Sequence, residues 1–318
     1  MKYPSNFTFF TLIIILLNGC ITDITETIPE ATPLPVIIGI LDPEHSISVA
    51  ITRTAPVYEK VTNVSIQTSK VELWRNDTFA VLLRKDSSNY YVTDIKPKTG
   101  EKWTIKAYTE YGLVTATTII PSKVRPSEGR FYPKPNSIKE EYSTHNTNYE
   151  FSVTIPDPQN EENAYWLLIH EPKPDSIYSR NYFKLYSNDA VIIADERFRF
   201  EENFTQDIER SNYMFSDKLF SGQARTLLFG ADLNTYLPGQ PETVQPFSVV
   251  RLRTCHIDLY RFYKNYRLPT MQIGDLVGNA TLPLFTGDPV PPYNNINGGL
   301  GLWTSYNTDT LLIPKTLN

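Results

Sequence analysis

The strongest constraint on the fold is a repeated alternation of apolar and polar side chains with a period of two. Trp103, Ile105 and Ala107 fall on one side of a short segment, and Thr104, Lys106 and Tyr108 on the other. Successive side chains of an extended chain point to opposite faces, so this pattern predicts a half-buried β-strand. Ile47, Val49 and Ile51 alternate in the same way with Ser48, Ala50 and Thr52. Val71–Trp74 and Phe79–Leu83 flank Arg75-Asn76-Asp77-Thr78, a short turn-rich connection that predicts a hairpin. Tyr90–Ile95, a Lys98-Thr99-Gly100 turn, Trp103–Tyr108, a Glu110-Tyr111-Gly112 turn and Leu113–Ile120 follow in quick succession. Short strands with turn signals at this spacing predict a small immunoglobulin-like or transthyretin-like β-sandwich over residues 36–121.

The prolines at 121, 126, 133 and 135 and the polar run to Asn148 predict a linker over residues 122–148. Beyond it, residues 149–318 read as a larger β-rich domain with a few short helices, so the whole chain is expected to be mainly β. Tyr149–Ile155 and Ala164–His170 read as strands, and Ala190–Asp195 as a further short one. In Ser248–Cys255, Val249, Arg251 and Arg253 alternate with Val250 and Leu252. Asp258 is expected to cap a helix carrying Leu259, Phe262, Tyr263 and Tyr266 at helical spacing. That aromatic row fits a core face better than a ligand platform.

The amino terminus reads as an address rather than as structure. Phe7–Leu17 is apolar but for Thr8 and Thr11 and follows the single cation Lys2. Eleven residues are too few to span a hydrocarbon core, which needs about 20, but suit a secretory hydrophobic region of about 7–15. The run ends Leu17-Asn18-Gly19-Cys20, which resembles the bacterial lipobox. That resemblance implies a signal peptide over residues 1–19 and acylation of Cys20 on its thiol and its new amine. Several acyl chains anchor a protein stably in a membrane. The polar, Pro-rich stretch over 20–35 then serves as a flexible tether; its acids Asp23, Glu26 and Glu30 also fit, weakly, a surface-export tag.

Chemistry is thinly written elsewhere. The 35 acidic and 30 basic side chains leave a net charge of −5, which argues against a nucleic-acid partner. With Cys20 lipidated, Cys255 has no partner for a disulfide and reads as a small buried strand residue. The chain has no nucleophile elbow, zinc-protease, Walker or kinase motif, so no catalytic residue, metal site or cofactor is assigned. The four histidines, His45, His145, His170 and His256, are scattered. The loop holding Asp157, Glu161 and Glu162 is oxygen-rich, but it lacks a calcium loop's spacing and reads rather as a solvated turn. Two of the acids could in principle serve a glycosidase, although nothing selects the pair. Twenty tyrosines would suit a glycan, peptide or protein ligand as well as they suit strands.

Several stretches together resemble one family. Met214–Gly222, reading MFSDKLFSG, is similar to its F-S-D-x-x-F-x-G segment. Pro289–Trp303, reading PVPPYNNINGGLGLW, is similar to its closing N-I-x-G-G-L-G-x-F segment, with Trp303 where Phe is commoner. The family is DUF4249, lipoproteins typical of Bacteroidota. The resemblance implies a lipid-anchored outer-membrane or cell-surface accessory or binding protein without catalysis, associated with a TonB-dependent outer-membrane receptor. A structural or adhesive surface lipoprotein is the alternative, and a glycan-active hydrolase a more distant one. In the motifs themselves, Gly298, Gly299 and Gly301 are expected to permit positive φ or close backbone approach. Phe215 and Phe220 are expected to anchor a loop that Asp217 and Gly222 shape.

Overall fold

In a computed structural model the described residues are 32–55, 64–86, 90–134, 149–171, 181–182, 184–196, 212–232, 247–265 and 291–314. Asn76 and Asp77 hold positive φ, 48° and 64°, the left-handed geometry whose twist suits a two-residue hairpin turn. They join β3 (Thr68–Arg75) to β4 (Thr78–Leu82) where the sequence predicts a hairpin. With β7 (Lys102–Thr109) and β8 (Gly112–Ile119) these strands form a four-stranded sheet in the order β4-β3-β7-β8. Trp103, Ile105 and Ala107 point inward from it and are fully buried. The facing layer is β1 (Pro35–Leu41), β2 (Ser48–Arg53), β6 (Tyr90–Val92) and β5 (Arg84–Lys85). Ile37, Val49 and Ile51 complete this first core.

A second core lies between two further layers. One is a four-stranded sheet in the order β13-β15-β10-β9. It is built from β9 (Ser127–Pro133), β10 (Tyr149–Pro156), β13 (Lys184–Tyr186) and β15 (Ala224–Asp232). The other comprises β11 (Ala164–Glu171), β12 (Asn181–Tyr182), β14 (Asn212–Ser216) and β16 (Phe247–Cys255). Phe131, Phe151, Phe229 and Leu227 meet Tyr165, Leu167, Phe215 and Leu252 between the layers.

The two sandwiches share β17 (Leu300–Pro314). Its first part, Leu300–Ser305, pairs parallel with Val36–Leu41 of β1, and Tyr306–Pro314 pairs antiparallel with β16. Trp303 thus enters the first core and Ile313 the second. The outcome is one nine-stranded sheet in the order β12-β11-β16-β17-β1-β2-β6-β5, with β14 on β11. Strand pairing therefore crosses the boundary drawn from the prolines. Pro33–Ala55 and Lys60–Asn318 belong to one compact unit, and β9 lies within the expected linker.

One expected strand is a helix. Ala190–Asp195 lies in α1 (Ala190–Glu196). Its β-branched apolar run suggests a strand, but Asp189 precedes it and its Oδ1 accepts the Val191 N–H at 2.9 Å, an N-cap bond. Val191 and Ile192 are then held in the second core. The second helix, α2, covers 257–265, two residues earlier than an Asp258 cap would start it. Leu259 and Tyr260 pack with Ala164, Cys255 and Leu302 on the opposite face of the large sheet from the second core. No helix among the described residues is long and apolar enough to cross a membrane.

Candidate functional site

The closing segment 291–303 is a structural clasp. Asn297 and Thr115 exchange backbone hydrogen bonds of 2.8 and 3.0 Å, tying the segment to β8. Asn295 donates to the Trp303 carbonyl at 2.8 Å and accepts the Trp303 N–H at 3.0 Å, closing a loop around the glycines. Gly301 has φ +120°, and a Cβ there would lie 2.0 Å from the Ile37 carbonyl oxygen of β1. Only glycine allows the parallel β1–β17 approach. Trp303 Nε1 donates to the Trp103 carbonyl at 3.0 Å, so the aromatic that ends the motif is both packed and hydrogen-bonded.

Asp258 fixes this clasp to α2. Its carboxylate accepts from the Tyr293 hydroxyl and, at 3.0 Å, from Asn295 Nδ2. Arg261 lies 3.6 Å from it. His256, not Asp258, occupies the capping position: its Nδ1 receives the Asp258 N–H at 3.4 Å. The same nitrogen is 3.4 Å from an Asp258 oxygen, which would be an ion pair if the ring were charged. Burial holds the His256 pKa below its ordinary value and outweighs the pull of Asp258, so the neutral, accepting ring is the form present near pH 7.

The F-S-D segment and the acidic loop form a second knot. Asp157 accepts from the Tyr165 hydroxyl and from the Gly222 N–H at 2.6 Å. Asp217 accepts the Asn163 N–H at 2.8 Å, and its own N–H returns to the Asn163 carbonyl at 3.0 Å. Phe215 and Phe220 anchor the turn in the second core, as the sequence suggests. Residues 159–162 form the solvated turn expected, but the residues at its two ends, Asp157 and Asn163, are buried. Glu161 and Glu162 are exposed, but Asp157 is buried and bonded. Burial, with Asp157 and Glu162 nearby, raises the Asp217 pKa. No cluster of His, Cys, Asp and Glu suited to a metal ion occurs among the described residues.

The residues with catalytic potential are similarly committed. Cys255 is fully buried, and burial pushes its thiol pKa up to about 12, which leaves no thiolate to attack anything. His45 Nδ1 is paired with Asp42 at 2.9 Å. His145 lies outside the described residues, as does Cys20, the predicted lipidation site.

Two arginines flanked by aromatic side chains lie on the face of β16 opposite the second core. Arg253 stands opposite Trp166 of β11, and Trp166 opposite Met214 of β14. The Arg253 guanidinium carbon is 4.6 Å from the ring centre of Trp166 and 4.6 Å from that of Tyr306. Tyr263 of α2 packs on Trp166 with ring centres 5.5 Å apart. Arg253 Nε is buried and has no hydrogen-bond partner. Arg251, two residues away on the same face, stands between Leu168 and Thr310. The alternation of two arginines through an apolar strand was the available sequence signal; the flanking aromatics come from strands and a helix distant in sequence.

A family model described as "Domain of unknown function (DUF4249)" matches residues 21–311. Among solved structures, a candidate membrane-anchored protein from Corynebacterium diphtheriae matches with 17% identity and a TM-score of 0.19. The match covers 70% of this chain and 54% of the other, so the chain spans about half the length of that protein. A likeness that slight supports nothing about fold or function. No curated protein matches the chain.

Proposed function

Because this chain belongs to the DUF4249 family, we propose that it is a lipid-anchored accessory or binding protein of the outer membrane or cell surface. The observation that carries the reading is the Leu17-Asn18-Gly19-Cys20 sequence at the end of an eleven-residue apolar run. The family match begins at residue 21, directly after the cysteine that would become the first residue of the mature protein. Acylated Cys20 then holds the β-sandwiches at the membrane through the polar stretch that ends at β1. The protein works by binding. Its outer β16 face presents arginines and aromatics, whereas the buried acids Asp157 and Asp217 hold loops in place. A TonB-dependent outer-membrane receptor is the proposed partner, and a glycan or peptide the proposed ligand class for such a complex.

Fractionation of cells making the wild-type chain or Cys20→Ala tests the anchor. Wild type is expected in the membrane fraction and the variant in the soluble fraction; a variant that stays in the membrane refutes the anchor. Affinity capture of the wild-type chain from detergent-solubilised membranes tests the partner. Recovery of no outer-membrane receptor would count against that assignment while leaving the anchor standing.

A further inference from the structure

The outer face of β16 sets two arginines beside the small aromatic cluster that α2 covers. Val250 and Leu252 are fully buried in the second core, so Arg251 and Arg253, which alternate with them, project from the other side. Two residues along a strand place the two arginine positions about 7 Å apart. Across the ladder their neighbours are Trp166, Leu168, Thr308 and Thr310, none of which carries charge. Asp42, the carboxylate that meets the Tyr306 hydroxyl, is engaged by His45 Nδ1 at 2.9 and 3.0 Å. In a chain of net charge −5, two cations therefore share a face whose ladder neighbours offer them no anion.

Trp166 and Tyr306 close on the Arg253 guanidinium and leave its edge as the polar part. That edge donates in plane, the geometry that takes a carboxylate or phosphate through two parallel N–H bonds. The rings also hold the side chain in place, so less freedom is lost when an anion arrives. The buried, unpartnered Nε is the second observation, because a buried donor without an acceptor is costly and uncommon in a native structure. An incoming oxygen meets the terminal Nη pair of the guanidinium, which is not among the buried, unpartnered atoms. Tyr263, Met214 and Leu168 line the same face with apolar surface, which favours an anion carried on an aromatic or apolar body.

We propose that this face binds a small ligand bearing a carboxylate or phosphate on an aromatic or apolar body, with Arg253 pairing edge-on to the anion and Arg251 supplying the second charge. The proposal names the ligand chemistry of the binding protein described above and rests on that reading.

The test uses the full chain purified in detergent and titrated at low salt with phenylacetate and with phenyl phosphate. Tryptophan fluorescence reports at Trp166, and calorimetry gives the affinity independently. Inorganic phosphate and benzyl alcohol separate the anionic from the apolar contribution. At least one phenyl anion is expected to bind saturably, about tenfold or more tighter than either control. Arg253→Gln is expected to weaken it about tenfold or more, Arg251→Gln about threefold, and Arg84→Gln not at all. Thermal unfolding shows whether Arg253→Gln keeps the fold. Should it not, Arg253→Lys keeps the charge, loses the planar edge, and is expected to weaken binding too. Preference for one anion identifies carboxylate or phosphate as the group recognised. Absence of saturable binding by both anions, or undiminished binding by a folded Arg253 variant, overturns the proposal. Either result leaves retention through Cys20 unchanged, whereas a failed anchor would leave this binding intact.

Discussion

Alanine at Gly301 and at Gly112 separates the cost of backbone conformation from the cost of close strand approach. Both glycines sit at nearly the same φ, +120° and +115°. Placing a side chain at such a φ costs on the order of 1–3 kcal/mol, and that cost is common to both variants. Their surroundings differ. A Cβ at Gly112 meets nothing within 4 Å, while one at Gly301 lies 2.0 Å from the Ile37 oxygen and 2.9 Å from its carbon. Ordinary contact begins near 3.4 Å, so β1 and β17 must part by more than an ångström. β1 cannot yield freely, because it is paired with β2 on its other side and Ile37 is fully buried. Losing two or three ladder bonds at about 1 kcal/mol each, with some loosening of the Ile37 and Trp303 packing, adds about 3–4 kcal/mol. Gly301→Ala is therefore expected to cost about 4–7 kcal/mol against about 1–3 for Gly112→Ala, from a typical total of about 5–15. Guanidinium unfolding followed by tryptophan fluorescence measures the difference, since Trp103 and Trp303 both lie in the affected core. Equal costs within about 0.5 kcal/mol, the error of such comparisons, would refute the steric account.

Asp189, His256 and Asp217 offer further tests from the same geometry. Asp189→Ala removes the α1 cap and the partner that Arg225 holds at 2.8 Å, and is expected to cost about 2–4 kcal/mol by denaturant unfolding. Asp189→Asn, which keeps a capping oxygen, is expected to recover part of that loss. Because burial depresses the His256 pKa, the unfolded chain takes up a proton below about pH 6.5 that the folded chain resists. Stability is thus fully present above that pH and falls as pH drops through it, by at most about 1.4 kcal/mol per unit for one group. His256→Asn keeps a capping acceptor and should flatten that slope in unfolding curves taken between pH 8 and 5.5. Asp217 works in the opposite sense: its raised pKa makes the folded state the better proton acceptor as pH falls toward the ordinary carboxylate range, so Asp217→Asn should remove that gain in unfolding curves extended to lower pH.

Much of the clasp and the F-S-D knot is legible in sequence because their residues act within short stretches. Asp217, Phe220 and Gly222 build one turn, and Asn295, Gly301 and Trp303 close one loop. What Asp157 does is not legible in that way. Its partners, Tyr165 and Gly222, come from a strand and a distant turn, so an acid that looks solvated in its own loop is buried by others. The Arg253 site shows the same limit. Its two arginines are visible as an interruption of an apolar alternation, but Trp166 and Tyr306 reach it across two neighbouring strands.

By itself, the sequence determined which segments extend, which side of each strand turns inward, and where the hairpins close. A period of two assigns alternate side chains to opposite faces, and turn residues such as Asn76 and Asp77 act on their own backbone. It was the tertiary structure that made a helix of the expected strand after Asp189, through the Asp189 cap and the packing of Val191 and Ile192 against the second core. The tertiary structure alone decided that β17 serves both sandwiches. Its pairing with β1, Ile37 beside Gly301, joins opposite ends of the chain. Period two records that a strand has a buried face, but not which strand lies beside it, because edge-to-edge hydrogen bonds are made by backbone groups common to every residue.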